Sequence, residues 1–75
     1  MKLFDILLSG DEQTIALVVG AETLERAEAL ALQEYGIEEE DSEEYGCMGV
    51  HRSSEIGKAS ATEEFVREIF NTNEL

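Results

Sequence analysis

The chain has 75 residues, 43% of them hydrophobic and 31% charged, and its five Lys and Arg against eighteen Asp and Glu give a formal net charge of −13. That apolar content argues against a disordered acidic tail, and so short a chain holds one core, so a single domain over residues 1–75 is expected. So negative a field repels phosphate backbones and anionic lipid surfaces, which speaks against direct nucleic-acid or membrane binding and favours a basic protein as partner.

Residues 3–8 are apolar apart from Asp5, residues 13–19 are rich in β-branched side chains, and Ser9-Gly10-Asp11-Glu12 between them has turn chemistry. The pattern predicts an antiparallel hairpin. Alternation places Phe4, Ile6 and Leu8 on one face of the first strand, and Ile15, Leu17 and Val19 on one face of the second. Asp5, Asp11 and Glu12 interrupt the early apolar run before it reaches signal-peptide form. No segment approaches the roughly 18 apolar residues of a membrane span. A soluble, cytoplasmic protein is the expectation, and the single cysteine, Cys47, fits a reducing compartment.

Thr23 has N-cap chemistry, and a helix is predicted over residues 24–35. Its apolar arc is Leu24, Ala27, Leu30, Ala31 and Tyr35, and Gly36 followed by Ile37 is the pattern of a Schellman stop. Residues 38–44 then read Glu-Glu-Glu-Asp-Ser-Glu-Glu, six carboxylates in seven positions. Adjacent carboxylates repel within a helix or a paired strand, so a solvated acidic loop is expected there. A third short strand is predicted over residues 45–52, with Ser53, Ser54 and Gly57 marking a connection. Ser60-Ala61-Thr62-Glu63 has capping-box spacing, and Phe65, Val66, Ile69 and Phe70 follow at helical intervals, which predicts a second helix over residues 61–71. The expected fold is thus α+β, in the order β-β-α-β-α: a three-stranded, mainly antiparallel sheet with two helices on one face.

Among chemical constellations, the acidic run lacks the alternating ligands and central glycine of a calcium loop, so no dedicated metal or cofactor site is expected. Cys47 and His51 lie four apart, but no second Cys or His completes a zinc site and no third group orients a catalytic pair. The glycines form neither a P-loop nor a dinucleotide fingerprint. No enzymatic activity is expected. What remains is charge: residues 22–44 hold ten carboxylates and one base, Arg26. Concentrating charge so densely costs self-repulsion, which motivates a binding surface.

The hairpin over residues 2–19, the helix over residues 24–35 and the acidic stretch over residues 22–44 together resemble the small acidic inhibitors of phages and mobile elements, including DNA-mimic and anti-CRISPR proteins. Val19-Gly20-Ala21-Glu22-Thr23 with Ala27 is similar to the strand-to-helix junction of small phage-type β-β-α modules. The resemblance implies a non-enzymatic protein that occludes a basic, nucleic-acid-handling surface of a partner. The contacts expected for that role are Glu25, Glu28, Glu34, Glu38, Glu39, Glu40, Asp41, Glu43 and Glu44. The alternative reading is a small structural or assembly module, a homodimer joined through the third strand or the second helix, with the acidic run only a solvated loop.

Overall fold

In the structure, a computed structural model that describes residues 1–10, 13–37 and 49–72, the order is β1 (Lys2–Ser9), β2 (Thr14–Ala21), α1 (Leu24–Glu34), β3 (Gly49–Lys58) and β4 (Phe65–Asn71). The strands form one antiparallel sheet in the order β3-β1-β2-β4. β1 and β2 pair in uninterrupted register from Lys2 opposite Ala21 to Ser9 opposite Thr14. Each alternates as the sequence predicts, with Phe4, Ile6 and Leu8 of β1 and Ile15, Leu17 and Val19 of β2 all buried. The central pair therefore supplies most of the core, and Val50 of β3 and Val66 of β4 extend it to the two edges.

α1 covers this inner face with Ala27, Ala31 and Leu32. Alanines at the contact, together with the buried Ala21, let the helix backbone approach the sheet closely. Thr23 is the N-cap: its backbone is extended, and its Oγ1 accepts from the Arg26 amide at 3.1 Å. The stop is a full Schellman motif, with the Gly36 amide donating to the Gln33 carbonyl and the Ile37 amide to that of Leu32. Gly36 takes φ +66°, the left-handed conformation that this stop requires and that a Cβ would strain.

The second half of the chain departs from the predicted order. The sheet has four strands and not three, and the described residues contain one helix and not two. β4 replaces the helix predicted over residues 61–71. The spacing of Phe65, Val66, Ile69 and Phe70 fits a strand equally well once a bulge intervenes, and Ile69 is the extra residue between the pairs Leu17–Glu68 and Ala16–Phe70. An isolated helix of about eleven residues is marginal, whereas the free edge of β2 offers every second amide of residues 65–71 a ladder partner. Of the third strand predicted over residues 45–52, residues 45–48 lie outside the described residues, and the described strand, Gly49–Lys58, runs beyond the predicted end so that Ser53, Ser54 and Gly57 lie inside it. Pairing with β1 overrides their weak strand preference, and bulges at His51 and Ile56 accommodate the two register shifts. Both edge strands are therefore bulged, a device that discourages open-ended strand addition.

Candidate functional site

Of the predicted contacts, Glu25, Glu28 and Glu34 lie on α1, whereas Glu38, Glu39, Glu40, Asp41, Glu43 and Glu44 lie outside the described residues. The helix does not gather its three glutamates on one side. Glu25 and Glu28, three residues apart, share one flank, while nine residues of helical rotation carry Glu34 about 180° from Glu25. On the Glu25 flank runs a shallow groove lined by Glu25, Glu28, Ala29, Leu32, Gln33 and Ile37. Its rim is acidic and its floor apolar. Glu28 is half-buried there and accepts a hydrogen bond from Ser53 Oγ of β3 at 2.9 Å, which fixes this flank of the helix over the β3 edge.

The opposite flank is neutralised or occupied. Arg26 donates from Nε and Nη2 to both carboxylate oxygens of Glu64, at 2.8 and 2.9 Å, and Tyr35 donates its hydroxyl to Glu68 of β4 at 2.5 Å. The hydrogen bond from Arg26, reinforced by its charge, holds the Glu64 carboxyl below the usual glutamate range. Lys2 faces Glu55 at 3.7 Å on the β3 edge. Arg26 and Lys2 are thus engaged elsewhere, and among the described residues Glu25 and Glu28 have no cationic partner. Leaving Ile37 at the C-terminal end of the groove, the chain enters the acidic run at once.

His51 is exposed at its bulge in β3, and Cys47 lies outside the described residues. Among the described residues, no group of three or more His, Cys, Asp and Glu side chains is placed to hold a metal ion, and no helix is long and apolar enough to cross a membrane. The residues that sequence reasoning missed are the groove's apolar ones. Leu32 falls outside the apolar arc drawn for the helix yet is buried, and Leu24, drawn inside it, is exposed. The signal lay in the Schellman stop: Ile37 must fold back toward Leu32, which fixes an apolar contact on that flank. No protein-family model matches the chain, and neither a curated protein nor a solved structure matches it.

Proposed function

We propose that the chain is a non-enzymatic, cytoplasmic interaction protein that lays its acidic helix flank on a basic, nucleic-acid-handling surface of a partner protein and occludes it. One observation carries this reading: Glu25 and Glu28 stand side by side without a cationic partner among the described residues, over an apolar floor that ends at Ile37, the residue that precedes the acidic run in sequence. Like charges three apart on a helix destabilise it by a few tenths of a kcal/mol, and a cationic partner reverses the sign of that term. Leu32 and Ile37 add apolar area that long-range charge alone does not provide, so the carboxylates steer and select while the floor supplies contact. In this arrangement carboxylates stand where phosphates would, and Glu34, on the far flank, contributes to the field and not to the contact.

The test is capture of partners from native lysate at two salt concentrations, followed by titration of the captured basic protein. Affinity should fall about tenfold or more between 50 and 300 mM salt, as the screening length contracts below about 10 Å. Nucleic acid should compete. Converting Glu39, Glu40, Glu43 and Glu44 to Gln should abolish binding, and Glu25→Gln with Glu28→Gln should weaken it more than Glu34→Gln. Binding that is indifferent to salt, or that survives the fourfold neutralisation, refutes the proposal.

A further inference from the structure

The face of the sheet opposite α1 carries a second, different surface. Register and alternation arrange it in three rows running from β3 through β1 and β2 to β4: Gly57, Leu3, Gly20, Phe65; then Ser54, Asp5, Val18, Arg67; then Arg52, Leu7, Ala16, Phe70. The Phe65 ring lies over Gly20, where even a Cβ would come within 2.3 Å of a ring carbon, so the aromatic fills the space that the glycine leaves. Leu3, Val18, Ala59, Phe65, Arg67 and Ile69 line one concavity of this face, together with Glu68, whose carboxylate is held by the Tyr35 hydroxyl. Phe70 is 48% and Ile69 59% exposed. In a chain of net charge −13, these rows hold two arginines against one aspartate. Asp5 and Arg67 occupy one row with Val18 between them, two strands or about 10 Å apart, and neither has an ion-pair partner among the described residues.

We propose that a second copy of this chain covers this face, in a two-fold dimer whose axis runs along β2. The rows are self-complementary about that axis and about no other strand. Turning the sheet over on β2 sets Val18 against its own copy, places β1 over the partner copy's β4, and brings each Asp5 opposite an Arg67. The same operation sets Leu3 opposite Phe65 and Leu7 opposite Phe70, pairing the apolar ends of the outer rows, while the small residues Gly20 and Ala16 meet at the axis. Sheets packed face to face lie about 10 Å apart, a gap that an aspartate and an arginine reaching toward one another can close. Both helices point outward. With a helix layer adding about 10 Å on each side, the two acidic flanks lie well beyond the screening length of about 8 Å at physiological salt, so the large net charge opposes the pairing only weakly.

Nothing in this dimer depends on the acidic groove, and its test contains no basic partner, so the two proposals fail separately. Sedimentation equilibrium of the whole chain, from about 10 μM to about 1 mM, should give twice the 8.3 kDa chain mass at the upper end. Asp5→Arg alone juxtaposes arginines and Arg67→Glu alone juxtaposes acids, and each should raise the dimer Kd by roughly 10- to 100-fold. An equimolar mixture of the two variants restores both opposite-charge pairs and should dimerise like the wild type, with far-UV circular dichroism confirming that each variant is folded. A reading free of charge changes is Val18→Cys in a Cys47→Ala background: the two Cα atoms, about 10 Å apart across the sheets, are too far for a direct disulfide, but a short bifunctional thiol reagent should join them into a covalent dimer. Wild-type chain that remains monomeric up to about 1 mM overturns the proposal and leaves the face to a different occupant. So does a mixture no tighter than either variant, or a Val18→Cys chain that does not cross-link.

Discussion

The two faces of the sheet come from the same strands and differ in what the alternate residues are. Inward lie Phe4, Ile6, Leu8, Ile15, Leu17 and Val19, all buried beneath a helix that meets them with alanines. Outward lie Leu3, Asp5, Leu7, Ala16 and Val18, half-buried, with no helix among the described residues against them. Smaller side chains and one charge at the centre separate the two. A sheet face becomes the core when it carries large, wholly apolar residues, and the face with interspersed charge is the one that can stand open, to solvent or, as proposed above, to a second copy.

Paired substitutions at neighbouring positions of β2 sharpen this contrast most. Leu17 sits at the centre of the inner face, fully buried between Ile6 and Glu68 of the flanking strands. Leu17→Ala should cost about 2–5 kcal/mol through lost transfer energy and the cavity left behind, enough to unfold much of so small a domain. Val18→Ala, one residue along, should cost less than about 1 kcal/mol in denaturant titrations at low protein concentration. Equal losses would mean that the outer face is as enclosed as the inner one. The next effects in size test the helix as the cover of the inner face. Thr23→Ala removes the acceptor for the Arg26 amide, and Gly36→Ala forces a Cβ into the left-handed region at φ +66°. Each should lower stability by about 1 kcal/mol, leaving the outer face unaltered.

The inner face could be read from the sequence because its evidence is local. The apolar and β-branched runs at residues 3–8 and 13–19, with turn chemistry between them, mark the hairpin, and Thr23 and Gly36 punctuate the helix through chemistry contained within a single turn. Residues 61–71 could not be read that way. Ile69, inserted as a bulge, converts a two-residue period into something that mimics a helical one, and only the waiting edge of β2 decides between them. The same holds for Ser53, Ser54 and Gly57, whose strand conformation is imposed by β1. For the candidate site, the pairing of Glu25 with Glu28 and the separation of Glu34 both follow from helical spacing, but that the Glu28 flank lies over β3 is decided only by the tertiary fold. Asp5 shows the limit most clearly. In the sequence it merely interrupts an apolar run, and its row with Val18 and Arg67 exists only once β4 has docked beside β2.

The smallest expected effect concerns the clamp between the helix and the chain entering β4. Arg26 grips both oxygens of Glu64, and the pair is exposed, so solvent and salt screen it. Because the hydrogen bond from Arg26 depresses the folded-state pKa of Glu64, its contribution is present above the ordinary glutamate value and is lost as pH falls through the depressed one. Arg26 is shifted upward by the same hydrogen bond but stays charged throughout the acid range, so the pH dependence of the pair is that of Glu64 alone. Acidification also relieves the repulsion of a chain at −13, which acts in the stabilising direction and would mask the loss in a single melting curve. Comparing wild type with Glu64→Gln cancels that background, since both keep the other seventeen carboxylates. The wild type should melt slightly higher near neutral pH, and the gap should close between about pH 5 and pH 3 and shrink in high salt. A gap that persists at about pH 3 would mean that Gln at residue 64 disturbs local packing and not a charge, and that the Arg26 clamp adds nothing to the apolar contacts and the Ser53–Glu28 and Tyr35–Glu68 hydrogen bonds that hold the helix over the inner face.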